Sequence, residues 1–309
     1  MIASLSKDKI ALKTEKKILS LLKKEELNKL LGRYNLKILK DQTPDEKVAS
    51  FGNVLNTIEF STEITKNTWS LKYKHNGTKG TTKIIFQNNF DSKKPTFIFH
   101  HGIAESVHPI HLKALTNKGF YDRFNIITIR ASNHSSGKDV FFKFLNSFNS
   151  LTSSIAMSVK ATEIALQFHK NLSSESVVIC GVSLGGAVAS LHYFHFGSAN
   201  FYFPALAYPD FGEILLHASN KNLIKNHKLL CKNKSIKRCF KLSYREKRKR
   251  RNIIYPILGE YDNIVDYSQS TKFWRGYKTI TYGTGHHSIF LKRKQIRELI
   301  YKKVFKTTA

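Results

Sequence analysis

The sequence predicts an α/β fold: a mixed, mostly parallel sheet with helices on both faces and a basic insertion. Three observations predict it. From residue 95 onward, short apolar runs alternate with longer segments of helical period. Before them, residues 54–87 read as antiparallel strands folded about Asn76-Gly77. One apolar run, Val177–Gly181, passes through Gly-x-Ser-x-Gly directly into a segment of small residues.

The elements follow in order. Ile18, Leu22 and Leu30, with Leu19, Leu27 and Leu31, recur near helical spacing among Lys and Glu, which predicts an amphipathic helix over 8–31 packed on the outside. The turn-rich Asp41–Asp45 ends it, so residues 1–50 read as an N-terminal helical extension and 51–309 as the main domain. Strands are expected at Val54–Ile64, Trp69–His75 and Thr81–Gln87, then at Thr96–His101, Asn125–Arg130, Val177–Gly181, Asn200–Ala207, Ile253–Gly259 and Lys278–Tyr282. Helices are expected at His108–Lys118, Ser153–Lys170, Leu184–Phe196, Gly212–Asn220, Asp266–Trp274 and Lys292–Val304. Continuously apolar strands separated by helices are buried on both faces, the mark of a parallel sheet. Residues 208–252 form an insertion between two strands. Its stretch 221–251 holds fourteen Lys or Arg and a single acid, Glu246.

Composition bounds the functions available. The 309 residues are 41% hydrophobic with 16 Gly and 6 Pro, which excludes disordered and collagen-like chains. Lys+Arg 51 against Asp+Glu 22 gives +29, a charge that favours polyanionic partners without bearing on fold. Three cysteines, Cys180, Cys231 and Cys239, have no framework spacing, and the first residues carry no apolar stretch of the secretory kind. The expected setting is therefore a reducing, cytoplasmic one, with the basic run read first as a solvated surface face, then as a peripheral contact to anionic membrane, and last as a nucleic-acid site.

The chemistry centres on Val177–Ala187. A serine at the tip of a sharp strand-to-helix turn needs residues without side chains two before and two after it, here Gly181 and Gly185. The helix start places N–H groups and a positive dipole end beside Ser183. Upstream, Thr96–Gly102 is a strand ending in His-Gly, after which the N–H of Ile103 is placed to join that of Leu184 around a developing oxyanion. His101 reads as a brace for that loop. Downstream, Asp262 follows the strand ending at Gly259, and Gly283-Thr284-Gly285-His286-His287 follows the last strand. Ligand chemistry in open α/β sheets gathers at the C-terminal strand ends, so Ser183, Asp262 and His286 are positioned to meet.

These motifs resemble the α/β-hydrolase superfamily, over about residues 54–305 and through Phe99–Ile103, Gly181–Gly186, Gly259–Val265 and Gly285–His286. Within it the chain is similar to lidded serine esterases and lysophospholipase-like members. The resemblance implies an α/β-hydrolase fold, Ser183 as nucleophile, Asp262 as acid, His286 as base, and the Ile103 and Leu184 N–H groups as oxyanion hole. It also implies a lid-like role for the insertion, in which Leu223, Ile224, Leu229, Leu230, Ile236, Phe240 and Leu242 are expected over an acyl pocket and the cations outward. Arg130–Gly137 matches the family's corresponding turn only loosely. His287 competes with His286, and Asp210 with Asp262; Asp266 reads as the cap of the next helix. His108 and His111, near His100 and His101, lack a carboxylate or thiolate partner at metal spacing, so no metal and no cofactor are expected. The expected activity is cleavage of carboxylic esters, with thioester hydrolysis and acyl transfer using the same residues. The alternative is a non-catalytic protein of this fold that binds anionic lipid or nucleic acid through its insertion. The oligomeric state and the acyl group are not legible.

Overall fold

The computed structural model describes residues 39, 41–43, 45–103, 110–132, 146–217, 224–242 and 253–305. The helix expected over 8–31, His108, Asn133–Gly137, Leu223 and the basic run Lys247–Arg251 lie outside the described residues.

Helix α1 spans Phe51–Thr57, where a strand was expected to begin at Val54. Ser50 supplies the reason: its hydroxyl accepts the Asn53 N–H, and Phe51, Val54 and Leu55 then fall on one buried face. Strand β1 (Glu59–Thr65) follows, then β2 (Thr68–His75) and β3 (Thr78–Phe86), an antiparallel meander. Asn76 and Gly77 join β2 to β3 with φ 45° and 77°, the positive values that a two-residue hairpin turn demands.

Strand β4 (Thr96–His100) opens the parallel half. Helices α2 (Ile110–Leu115) and α3 (Lys118–Arg123) replace the single helix expected over His108–Lys118; Asn117 divides them by capping the second through the Phe120 N–H. Next come β5 (Asn125–Arg130), α4 (Phe148–Leu172), β6 (Val177–Val182), α5 (Leu184–His195) and β7 (Phe201–Ala205). The inserted region carries α6 (Phe211–Leu216), α7 (His227–Leu230) and α8 (Lys234–Arg238). The chain closes through β8 (Ile257–Gly259), α9 (Tyr267–Phe273), β9 (Ile280–Tyr282), a 3₁₀ turn at Ser288–Lys292 and α10 (Arg293–Phe305). The nine strands lie in the order β1-β2-β3-β5-β4-β6-β7-β8-β9, antiparallel as far as the β3–β5 pair and parallel from β5 to β9.

Alternation along the central strands feeds two separate cores. Phe97, Phe99, Val178, Cys180, Phe203 and Ile257 point to the face covered by α2, α3 and α10. Ile98, Val177, Ile179, Tyr202 and Leu258 point to the face covered by α1, α4 and α5. The second core also takes in the described part of the insertion. Phe240 stacks on Phe51 with ring centroids 5.4 Å apart and meets Phe211 edge-on at 6.2 Å. Backbone bonds seal the junction: Phe51 N–H to Cys239 C=O at 2.7 Å, and Val48 N–H to the Ser235 hydroxyl at 3.0 Å. Ile224, Leu230, Ile236 and Phe240, expected over an acyl pocket, are buried in this core, whereas Leu229 is half exposed. Residues 39, 41–43 and 45–50 are tied to the same body, since Gln42 accepts the Phe148 N–H and Leu39 is buried. Phe240→Ala is expected to destabilise the protein by about 3–5 kcal/mol in urea unfolding, as for a truncated core aromatic. A change within experimental error would mean that the insertion is not part of the core.

Three buried histidines pin the α4 side of the sheet. The His169 ring donates to the Glu175 carbonyl and accepts from the Thr96 hydroxyl, both at 2.8 Å. Thr162 gives its proton to the Ser158 carbonyl, so at 2.8 Å it accepts from His100 Nε2. His192 donates to Glu163 Oε2 at 3.0 Å and accepts from the Tyr202 hydroxyl at 3.1 Å. Burial raises the Glu163 carboxyl, but hydrogen bonds from His192, Ser198 and Gln167 outweigh it and hold the group at about 2. Burial lowers all three histidines, and with the nearby His192 it brings His100 to about 3. Between the ordinary 6.5 and that value the unfolded chain binds more protons than the folded one. Stability is therefore expected to fall as pH drops through this window. A thermal midpoint that stays level from neutral pH down to about 3.5 would contradict the neutral buried imidazoles.

Candidate active site

The strand β6 delivers Ser183 into a conformation that side-chain-bearing residues avoid. Ser183 has φ 56° and ψ −118°, and the helix α5 starts at the next residue. Two backbone bonds hold the turn: the Ser183 N–H donates to the Ala205 carbonyl on β7 at 2.9 Å, and the Ser183 carbonyl accepts the Ala187 N–H at 3.0 Å. Crowding around it explains the glycines. A Cβ at Gly181 would collide with the Gly185 backbone, and one at Gly185 with the His100 carbonyl. At Gly186 a Cβ would sit 2.5 Å from the Ala205 carbonyl oxygen. Cys180, one residue before this turn, faces the α10 side, and burial pushes its thiol up to about 12, which leaves Ser183 as the accessible nucleophile type at this point.

The loop after β4 lies against the same turn. A Cβ at Gly102 would come within 3.7 Å of the Val182 carbonyl and 3.1 Å of the His111 ring. His101 is nine-tenths buried and braces the loop, accepting the Ala131 N–H at Nε2 (3.0 Å) and donating from Nδ1 to the Gly102 carbonyl (2.8 Å). Ile103 is half-buried at the end of this loop, and Leu184 is buried as the first residue of α5. His111 stacks face to face on Phe290 of the 3₁₀ turn, centroids 4.3 Å apart and planes 5° from parallel. That stack leaves no mark in the local sequence, because the two residues lie far apart in the chain.

Asp262 and His286 are brought together. Both are buried, and His286 Nδ1 lies 2.8 Å from Asp262 Oδ2. The other carboxylate oxygen accepts the N–H groups of Ile264 and Val265, each at 2.9 Å, so the turn after β8 fixes the acid from behind. A carboxylate only accepts, so Nδ1 carries the proton and Nε2 is left as the free acceptor. The loop holding His286 is set by the Gly285 N–H bond to the Ser288 hydroxyl at 2.9 Å and by the Tyr261 N–H bond to the Thr284 carbonyl at 3.0 Å. His287 is exposed, with its ring 5.6 Å from that of His286. Asp210 instead caps α6 by accepting the Glu213 N–H, and Asp266 caps α9 by accepting the Gln269 N–H. No group of three or more His, Cys, Asp or Glu among the described residues is arranged to hold a metal ion. No helix among them is long and apolar enough to cross a membrane.

The strand registers align these parts. Val182 pairs with Ala205, Ala205 with Ile257, and Gly259 with Tyr282, so Ser183, Asp262 and His286 all follow the C-terminal ends of neighbouring parallel strands. Residues 146–301, from before α4 into α10, match the model of an uncharacterised protein family, UPF0227. The chain belongs to that family. No curated protein matches the chain. Among solved structures, Est1E from Butyrivibrio proteoclasticus, with ferulic acid bound, superposes with a TM-score of 0.52 at 15% identity, over 75% of this chain and 98% of that one. An acetyl xylan esterase from Paenibacillus sp. R4 gives 0.50 at 11% identity, over 85% and 97%. An acylaminoacyl peptidase from Pyrococcus horikoshii gives 0.52 at 12% identity over 83% of this chain, which spans 44% of the peptidase. At these identities the likeness establishes the fold: this UPF0227 chain has the α/β-hydrolase fold.

The glycine crowding yields a direct test. Gly185→Ala is expected to cost more than about 3 kcal/mol, or to abolish soluble expression, because the new Cβ has only rigid backbone to displace. Unfolding indistinguishable from that of the unmodified protein would mean that β4 and α5 are not so closely packed.

Proposed function

We propose that the protein is a serine hydrolase that cleaves carboxylic esters. The observation that carries this reading is the buried His286–Asp262 hydrogen bond beyond the same sheet edge as the strained Ser183 turn. In the proposed reaction His286 Nε2 accepts the Ser183 hydroxyl proton as Oγ attacks the acyl carbon. Asp262 keeps the imidazole in the required tautomer and stabilises the imidazolium. The developing oxyanion accepts hydrogen bonds from the N–H groups of Leu184 and Ile103, the first aided by the positive end of α5. Collapse of the tetrahedral intermediate expels the alcohol, protonated by His286. Water, deprotonated by the same imidazole, then releases the acid from Ser183. No cofactor enters this scheme.

The nearby esterases of the same fold, one with ferulic acid bound and one named for acetyl xylan, support an ester as the class of substrate.

With p-nitrophenyl esters of graded chain length, Ser183→Ala and His286→Ala are each expected to lower kcat by about 10⁴-fold or more, and the double variant to be no worse than either. His287→Ala is expected to keep near-normal turnover. Full activity in Ser183→Ala would refute the reading, and loss of activity in His287→Ala alone would move the base by one residue.

A further inference from the structure

The described part of the insertion has a second side. Along residues 224–242 the apolar residues Ile224, Leu230, Ile236, Cys239 and Phe240 are buried, as given above, and the cations are not. Lys225, Lys228, Lys232, Lys234, Lys237, Arg238 and Lys241 are all exposed. The segment contains no Asp or Glu, and among the described residues none of these seven makes an ion pair. In the packed partner segment, Glu46 spends its carboxylate on the amides of Gln42 and Asn149. Seven like charges, four on these two short helices and three beside them, repel one another, and no ion pair among the described residues compensates them.

The face is rigidly mounted. Asn233 caps α8 by accepting the Ser235 and Ile236 N–H groups, and its amide donates to the Glu46 carbonyl at 3.0 Å. Gly212 of α6 lies so close to α8 that a Cβ there would be 3.0 Å from the Ile236 carbonyl. Helix α6 itself leaves the C-terminal end of β7, the strand next to the one that carries Ser183. The cationic face is thus carried on elements anchored just after the C-terminal end of β7.

One residue distinguishes among the polyanions. Leu229 is 49% exposed, between Lys228 and Lys232, on a segment whose one Phe, Tyr or Trp, Phe240, is buried. An apolar side chain standing among lysines suits the boundary between headgroups and acyl chains. With no exposed Phe, Tyr or Trp and a single half-buried imidazole, His227, the segment offers little on which to stack nucleic-acid bases. From charge complementarity and this residue we infer that the outer face of α7 and α8 docks the protein onto an anionic lipid surface. This goes beyond the hydrolase reading and does not depend on it.

The test is co-sedimentation of the full-length protein with vesicles of phosphatidylcholine that carry phosphatidylglycerol, against vesicles of phosphatidylcholine alone. The protein is expected to prefer the anionic vesicles by at least about tenfold and to lose that preference steeply as salt shortens the Debye length from about 30 Å towards 8 Å. Replacing Lys225, Lys228, Lys232 and Lys234 together by Gln is expected to weaken binding by at least about tenfold. All four are exposed, so the thermal midpoint serves as the control for folding. Leu229→Ser is expected to weaken vesicle binding while leaving binding to heparin unchanged. Hydrolysis of a short soluble ester by both variants is expected to match the unmodified protein, so failure of the docking and failure of the hydrolase reading give different results. Equal, salt-insensitive partition onto both vesicles, or undiminished binding by the four-lysine variant, would overturn the inference. So would tight binding to an RNA homopolymer with no preference for anionic vesicles, which would assign the face to nucleic acid.

Discussion

A serine held at φ 56° and ψ −118° is the constraint around which the rest of the molecule is arranged. Such a backbone persists only where its surroundings over-determine it, at a cost of about 1–3 kcal/mol. Here the surroundings are backbone against backbone. Gly181 makes room for Gly185, Gly185 for the carbonyl of His100, and Gly186 for β7. The bond from the Ser183 N–H to the Ala205 carbonyl ties the turn to the neighbouring strand. Because the contacts are to main chain, they leave little freedom to adjust, and they fix β4, β6, β7 and α5 relative to one another.

The electrostatics of the interior follow from that packing. On the α4 side, His100, His169 and His192 are donors and acceptors bonded to hydroxyls, a carbonyl and the Glu163 carboxylate, and burial lowers all three. His286 has a different environment: a carboxylate on one side of the ring and an uncommitted Nε2 on the other. The same residue type therefore serves as cement in three places and as the proposed base in a fourth, and the partner of the ring decides which.

How much of this was legible in the sequence depends on the range of the interaction. The parallel strands were readable because both faces are apolar, and the places of Ser183, Asp262 and His286 just past strand ends because Gly181, Gly185, Gly259 and Gly285 mark the turns. The brace role of His101 followed from its place before Gly102. Helix α1 was missed because its capping Ser50 stands at what read as a domain boundary, and three buried residues in seven resemble the start of a strand as much as a helix. The Glu163–His192–Tyr202 group and the His111–Phe290 stack join residues distant in sequence, and no local pattern announces them. The insertion read as a basic loop with apolar residues spare for a substrate; those residues instead complete the core against Phe51 and Phe211.

The central claim is that one serine, at the strained turn, is activated by the His286–Asp262 pair. The most direct measurement is reaction of the protein with a fluorophosphonate, followed by mass spectrometry of the digested adduct. The account predicts a single phosphonylated peptide with the label on Ser183, formed by the unmodified protein and lost in His286→Ala, although Ser183 is still present there. Absence of any adduct on the folded protein, a label on another residue, or equal labelling when His286 is removed would contradict it.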